Sequence, residues 1–490
     1  MAERPEPVPD LDWDPARARE LGDEVVELWT ELLARLPDLP VGGGFTAQRV
    51  REELDLNVPE EGLSNAELVA RLRALVFDQS IYPGHPGFFA YISGAGTVPG
   101  AAADLIASAL NQNLGGFRLS PGANQVEAAL VDWLAESFGL PDGAGGQVVA
   151  GGAMANFVGL KVARDRALSP DGRSHGLAGG PPLAFYASSE SHVVQRRAAD
   201  MLGLGLDAVR TVAVDDGLRM RPDALAEAIE RDLAQDVRPA AVIGTAGTTA
   251  TGAIDPLGPL ADICERHDVH FHVDACYGGP AVLADDLRPL LRGIERADSI
   301  AADAHKWLYT PLLGGCALAR DEAHLAAAFA ADASYIWLDE EVRSQHGVDY
   351  VHQGPDFSRG FAALRIWLSL VAHGRAAYGR RISHDAALAR YLGELVEEHP
   401  DFELMCPVGL SICCLRYVPQ ELRGQDEALD RLNERIMMGV QEDGRVFCSN
   451  AVIGGRFGLR ACIVNFRTEA EHVERLLEVA EELGRAELGS

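Results

Sequence analysis

The chain lacks the excess of basic residues that binding to nucleic acid or an anionic membrane requires. Its 43 Lys and Arg stand against 73 Asp and Glu, a net charge of -30. No apolar run approaches the roughly 20 uncharged residues of a membrane-spanning helix. Nor is a secretory signal visible, because the first residues, MAERPEPVPDLDWDP, are acidic and rich in proline. The eight cysteines (264, 276, 316, 406, 413, 414, 448 and 462) show no CxxC spacing, which argues against a zinc site or a disulfide framework and for reduced core residues. No internal repeat and no low-complexity segment is present. These absences leave a cytoplasmic protein with no bound metal as the expectation. With 47% hydrophobic and 24% charged residues, the composition is that of a globular protein. At 490 residues it is too long for one compact unit, so a large domain with smaller ones is expected.

The most informative stretch runs from His270 to Arg320. HFHVDACYGG is an apolar strand that delivers Asp274, and ADSIAADAHKWLYTPLLGGCALAR delivers Lys306 between His305 and Trp307. A lysine rarely sits in an apolar, glycine-flanked run unless it is paired or used. In such surroundings an amine loses its proton more readily and can attack a carbonyl to form a Schiff base. An aspartate in the same pocket is the partner that a pyridinium nitrogen needs. The pair points to pyridoxal 5'-phosphate (PLP) as cofactor.

Upstream, leucines and valines from Leu21 to Leu36 fall at helical spacing, and a second amphipathic helix covers Ser64 to Phe77. With no strand beside them, these helices are expected to lie on a partner subunit. Tyr82 to Gly100 reads as an irregular loop, dense in glycine, proline and aromatics, of the kind that can line a site. GQVVAGGAMANFVGLKVARDRAL gives a short strand (147–150), two glycines and a helix from Ala153 to Ala167. That turn can seat an anion on free backbone N–H groups, or be an ordinary strand-to-helix connection. His192 follows the strand 183–187, and Thr248 and Thr249 follow another in PAAVIGTAGTTATG. The strand–helix alternation through residues 145–320 implies a mainly parallel sheet with helices on both faces. After Arg320 comes a long polar stretch that includes Tyr350 and reads as a lid. Helices are expected over Phe361–Ala377 and Ala386–Glu398. Strands near 402–404, 410–416 and 459–465, with helices at 425–441 and 468–483, then form a small α+β unit. Residues 1–80 are thus expected to be a helical arm, 81–385 a large α/β domain and 386–490 the small C-terminal domain.

The phosphate-type turn, the histidine at a strand end, HVDA and HKW, in this order, make the chain resemble the group II PLP-dependent amino acid decarboxylases. That family includes the aromatic-L-amino-acid, histidine and glutamate decarboxylases. The resemblance runs from about Leu11 to Leu488. It implies a fold type I architecture: a mainly parallel seven-stranded sheet flanked by helices, with a small C-terminal domain, an N-terminal helical arm and a homodimeric assembly. It implies that Lys306 bonds the cofactor and Asp274 holds the pyridine nitrogen. His192 would lie over the ring, with Cys276 at its opposite face, where the family usually has alanine. Gly152, Ala153 and His305 would seat the phosphate, with Thr249 near the cofactor. Tyr350, fifteen residues before Arg365, would be the proton donor of a mobile loop. The activity implied is loss of carbon dioxide from an L-amino acid, an aromatic one first. Departures are Ala304 in place of proline, no hydroxyl side chain in GGAMAN or after His192, and Pro83 and Gly115 where aromatic-specific relatives place large aromatics. An acidic-amino-acid decarboxylase is the alternative, with Arg118 or Arg460 as holders of a distal carboxylate. An aminotransferase and a non-enzymatic relative are further rivals.

Overall fold

The structure, a computed structural model, describes residues 11–168, 172–331 and 347–489. Seven strands form the main sheet: β1 (Gly145–Val149), β2 (Leu183–Ser188), β3 (Val209–Val212), β4 (Arg238–Thr245), β5 (His270–Asp274), β6 (Ser299–Asp303) and β7 (Gly315–Ala319). Their order is β1-β7-β6-β5-β4-β2-β3. From β3 to β6 every pairing is parallel, and only β7 runs against its neighbours β6 and β1. The central strands are buried along their whole length except at Arg238, the first residue of β4, as expected of strands covered on both faces. Alternate residues of β4 divide between two cores. Ala241 and Ile243 pack with Leu160 and Ala163 of the helix Gly152–Leu168. Val242 packs on the opposite side with Leu257 and Leu260 of the helix Leu257–His267.

A second sheet is antiparallel throughout, with β8 (Phe402–Leu404), β9 (Ile412–Tyr417), β10 (Ser449–Ile453) and β11 (Arg456–Cys462) in the order β10-β11-β9-β8. On one face Cys413, Leu415, Leu459 and Ala461 meet the helices Arg375–Glu398, Asp426–Asp443 and Ala470–Leu488. On the other, Ile412, Cys414 and Cys462 join the core of the main sheet. The two sheets therefore share one continuous interior.

The N-terminal helices Pro15–Arg35 and Asn65–Asp78 pack against each other, joined by Arg73 to Glu31 (2.5 Å) and by the Asn65 amide to Glu20 (3.0 Å). Ser64 and Glu67 close a reciprocal cap at the start of the second helix. Val41 N–H donates to the Gly444 carbonyl (2.8 Å), which ties the segment between these helices to the small sheet's helices.

Several boundaries differ from the sequence reading. The helix expected over Phe361–Ala377 ends at His373, and the next runs unbroken from Arg375 to Glu398. Gly374, at φ +76°, makes the corner that a side chain resists. The helix Glu322–Phe329, capped by Asp321, precedes the stretch read as lid. β10 was missed because SNAVI is short, although Gly454 and Gly455, both at positive φ, mark its hairpin turn. Most of the expected lid, residues 332–346, falls outside the described residues, as does the start of the N-terminal arm.

Candidate active site

The carboxyl ends of the parallel strands converge, and the ligand crevice of an open α/β sheet forms at such an edge. Asp274 is the last residue of β5, and its turn back to β4 is fixed by Ala246 N–H on the Asp274 carbonyl (2.9 Å). Thr249 lies on the loop after β4, and His192 on the turn after β2. Lys306 sits on the turn after β6, and Gly152 opens the helix after β1. Asp274 is buried, with two donors on its carboxylate: the Gln195 amide to Oδ2 (2.9 Å) and Cys276 N–H to Oδ1 (3.2 Å). The charges of both Asp274 and Lys306 act on His192 and on Cys276, which places these four side chains in one cluster.

Burial is the first cause that holds the His192 pKa below its ordinary value. Asp274 pulls it back up, and Lys306 and Arg197 push it down. Its Nδ1 accepts from Val194 N–H (3.2 Å), while one side of the ring is open to solvent. A mainly neutral ring is free to lie on an aromatic face. Burial, reinforced by the Asp274 charge, pushes the Cys276 thiol well up, so it is an inert packing group and no nucleophile.

Around Gly152 space is tight. A Cβ there would stand 2.7 Å from Cys276 Sγ and 2.9 Å from Asp303 Oδ2. Gly152 N–H donates to Asp303 Oδ2 (2.7 Å), and Ala153 follows in the first helical turn, where N–H groups have no intrahelical partner. His305 Nδ1 lies 2.6 Å from Asp303 Oδ1, yet neither atom makes an aligned hydrogen bond, so both keep bonding capacity. The backbone of the Lys306 turn is closed over by the loop 82–97: a Cβ on Gly94 would stand 2.5 Å from the Lys306 carbonyl oxygen.

Lys306 is one of only two lysines in the chain. The other, Lys161, has its amine on Asp165 (2.5 Å) and on the Ala328 carbonyl (2.5 Å). That scarcity is a signal that the motif reading did not use. Trp307 and Tyr309, the next residues along, are pinned by Asp385, which accepts from Trp307 Nε1 (3.0 Å) and from the Tyr309 hydroxyl (2.7 Å). Asp385, Asp303, Asn156 and Gln195 were not picked out from the sequence. Only Asp385 comes from a distant element; Asp303, Asn156 and Gln195 lie within four residues of Lys306, Gly152 and His192, where the motifs drew attention to their neighbours instead.

Tyr350 is placed elsewhere. Its ring lies over the Arg359 guanidinium (4.4 Å) beside Glu127, with which Arg359 forms a buried ion pair. Burial and the Glu127 charge push its phenol pKa far up, so it stays protonated. Thr249 is held through its backbone, its carbonyl accepting from Arg460 (2.5 Å). Arg460 is spent on four such groups: the carbonyls of Thr249, Ala250 and Tyr91 and the Ser449 hydroxyl. Arg118, in contrast, is exposed on the turn Phe117–Leu119.

An aspartate at the carboxyl edge of the sheet, a lysine on the neighbouring turn and a glycine-tight helix start define a fold type I pyridoxal-phosphate enzyme. The comparisons agree. The profile of the pyridoxal-dependent decarboxylase conserved domain matches residues 48–418. The chain is 33% identical over 459 residues to the aromatic-L-amino-acid decarboxylase of Bacillus atrophaeus, covering 94% of each. It is 34% identical over 387 residues to the cysteine sulfinic acid decarboxylase of Mus musculus, covering 78% of this chain and 77% of that one. The crystal structure of Oryza sativa TDC with PLP and tryptamine superposes with a TM-score of 0.91 at 28% identity, covering 97% of this chain and 99% of that one. The chain belongs to the pyridoxal-dependent decarboxylase family; it is a carboxy-lyase that uses PLP and acts on an amino acid.

The residues present fit that cofactor. The cradle at Gly152 admits no side chain, the His305 and Asp303 atoms have bonding capacity in reserve, and Asp274 is a buried carboxylate with two donors. With Asp303 already on the Gly152 N–H, Ala153 N–H and His305 are the groups left to hold a phosphate.

Proposed function

We propose that the chain removes carbon dioxide from an aromatic L-amino acid and releases the amine. The observation that carries this reading is the commitment of Arg460. Its guanidinium is buried at the edge of the site and commits four of its five N–H groups to three backbone carbonyls and a hydroxyl, so it has no pair of donors left to grip the distal carboxylate of an acidic substrate. The near end-to-end similarity to the bacterial aromatic-L-amino-acid decarboxylase supports the same choice. The murine cysteine sulfinic acid relative favours an acidic substrate as the second reading. Gly115 leaves no room for the large aromatic that aromatic-specific relatives place there, because a Cβ would stand 2.8 Å from both the Phe357 carbonyl and Val351. Incubation with a panel of L-amino acids decides between them. Release of carbon dioxide and amine from tryptophan, tyrosine or phenylalanine is expected; turnover of glutamate, aspartate or cysteine sulfinate alone would overturn the aromatic assignment.

PLP, when bound, supplies an aldehyde for amines and a ring that accepts electrons. Lys306 supplies the amine that anchors it and must take up and give back a proton when substrate replaces it. Asp274 holds a negative charge against the ring nitrogen, a fixed electrostatic contribution where charge develops. With PLP bound, His192 would cover one ring face and Cys276 the other, Gly152, Ala153 and His305 would hold the phosphate, and Thr249 would border the cofactor. Tyr350, held as a neutral phenol, is the acid that returns a proton to Cα. To do so it has to leave Arg359, or act across a subunit boundary. The second route requires a homodimer, and the surface suits one. Leu105, Ile106 and Leu110 of the helix Val98–Leu110 are exposed, as are Val25, Val26, Leu72 and Leu75 on the paired arm helices. Among the described residues no helix is long and apolar enough to cross a membrane, which is consistent with the proposed cytoplasmic location.

A further inference from the structure

Behind Asp274 lies a chain of polar groups, buried except for Arg166 at its outer end, that the catalytic reading does not use. Arg166 Nη1 lies 3.1 Å from His270 Nδ1, and His270 Nε2 lies 2.8 Å from Ser299 Oγ. Ser299 Oγ is also 2.8 Å from His272 Nδ1, and His272 Nε2 is 2.9 Å from Asn156 Oδ1. Asn156 Oδ1 accepts in addition from Gln195 Nε2 (2.9 Å), whose other hydrogen goes to Asp274 Oδ2 (2.9 Å). Helix and sheet can approach this closely only because residue 159 is glycine. A Cβ there would stand 2.6 Å from His272 Nδ1 and 2.9 Å from Ser299 Oγ.

The direction of every bond in this chain is determined. A guanidinium can only donate, so His270 Nδ1 accepts. Burial pushes the His270 pKa to about 3 and that of His272 to about 4, so both rings are neutral with one hydrogen each. His270 then donates from Nε2 to Ser299, Ser299 donates to His272 Nδ1, and His272 donates from Nε2 to Asn156. Asn156 cannot turn over, because its own amide hydrogens serve the Gly152 carbonyl (2.8 Å) and Cys276 Sγ (3.5 Å). Gln195 therefore faces two acceptors and presents its NH2 to both. Its Oε1 is left buried without a partner, a cost that a flipped amide would exchange for an oxygen against the Asp274 carboxylate.

We propose that Gln195 is a positioning residue for the cofactor's ring nitrogen. It locks the Asp274 carboxylate from behind, and the directed chain from Arg166 keeps Gln195 from turning over. The inference rests on the PLP-dependent reading and concerns this chain's own second layer of contacts. Asp274 is held by one donor on each oxygen, Gln195 on Oδ2 and Cys276 N–H on Oδ1, so the plane of the carboxylate is fixed. Removing the side-chain donor frees that plane while leaving the charge in place.

Gln195→Met tests this, since it keeps the length of the side chain and also removes the orphaned oxygen. The variant removes the orphaned oxygen but leaves Asp274 Oδ2 without its donor, so it is expected to stay folded and to melt within a few degrees below the wild-type temperature. Its dissociation constant for PLP is expected to rise about tenfold, the worth of one hydrogen bond to a charged group. The 15N resonance of ring-labelled PLP in the holoenzyme is expected to move away from the protonated position. A folded Gln195→Met protein with PLP affinity within twofold of wild type and an unmoved resonance would overturn the proposal. In the cofactor-free protein, 15N-histidine spectra should show His270 and His272 as Nε2–H tautomers; an Nδ1–H tautomer at either would overturn the direction of the chain and the proposal with it. Wild-type protein that binds no PLP would instead overturn the underlying functional reading, an outcome distinct from both.

Discussion

Asp385→Ala should loosen the catalytic lysine from beneath. The Asp385 side chain is fully buried, and its carboxylate takes hydrogen bonds from Trp307 (3.0 Å), Tyr309 (2.7 Å) and Arg381 Nε (2.9 Å). Truncation leaves the Trp307 N–H and the Tyr309 hydroxyl buried without an acceptor, at about 1–3 kcal/mol each. Arg381 suffers less, because it keeps the carbonyls of Asn465 and Thr468 and the Glu469 carboxylate. The expected loss is about 4 kcal/mol. At about 2 cal/mol/K of unfolding entropy per residue, that is roughly a 4 °C fall in melting temperature for a chain of this length. Since Trp307 adjoins Lys306, the dissociation constant for PLP should rise about tenfold as well. Asp385 also gives the wild type a pH signature. Burial lifts its pKa from 3.8 to about 6 despite the pull of Arg381. The folded state therefore holds this proton more tightly than the unfolded chain, and the contribution of Asp385 to stability declines as pH rises from about 4 to about 6, opposite in sign to the contribution of His270 and His272 over that range. Asp385→Ala should lack that decline. The measurements are thermal melts across pH with and without PLP, and a PLP titration followed by absorbance. A variant that melts within a degree of wild type would refute the energetic argument. One that is destabilised but binds PLP unchanged would refute the link from Asp385 to Lys306.

Borohydride reduction of the PLP-loaded protein should leave the label on the peptide that contains Lys306. Lys306→Ala should show no cofactor absorbance band, and a label on Lys161 would remove the assignment. Tyr350→Phe should lower amine formation by about 10²–10⁴-fold, the usual worth of a general acid, and in the presence of dioxygen as oxidant divert product to aldehyde with release of ammonia and hydrogen peroxide; amine at the wild-type rate would exclude the role. His270 and His272, held neutral by burial with pKa values near 3 and 4, protonate in the unfolded chain at about 6.5. Their folded values are depressed, so the protein should lose stability as pH falls from about 6.5 towards 4, with up to two protons taken up per molecule unfolded over that range. Acid unfolding with no proton uptake from these groups, read by comparing His270→Asn and His272→Asn with wild type, would contradict their burial as neutral rings.

What could be read from the sequence was whatever chemistry writes locally. The HVDA strand is a continuous buried run that ends in a carboxylate, and β5 spans His270–Asp274 as expected. The helix Leu257–His267 was equally clear, with apolar residues on one face and a left-handed Asp268 at its end. The mainly parallel sheet followed from strand–helix alternation, and the antiparallel β7 did not, because a strand's direction leaves no mark in a run such as GCALA. Gln195 was invisible for a different reason. In VVQRRAA it reads as one polar residue of a helix start, and only the approach of β5 makes it a buried donor to Asp274. Tyr350 could be matched by motif and spacing, but its lodging against Arg359 depends on a contact between residues nine apart across an irregular turn, which no periodicity encodes.

The reversed strand explains why the lysine can be where it is. At the carboxyl edge of a parallel sheet each loop leads to a crossover helix, so it leaves the edge in the direction that helix dictates. β6 instead turns back through residues 304–314 into β7, with Asp303 paired to Gly315 at the base. The loop therefore stands on two adjacent strands and remains at the edge. Its base is locked to the phosphate turn, because Gly315 lies directly against the Gly151 backbone, where a Cβ would have no space. Its far side is held by Asp385 through Trp307 and Tyr309. One hairpin thus sets the distance between three groups at once: the amine of Lys306, the helix start at Gly152 and, through the β5–β6 pairing of Asp274 with Ala301, the Asp274 carboxylate. A crossover helix in its place would fix only one of these, which is the physical reason for an antiparallel strand in the middle of an otherwise parallel sheet.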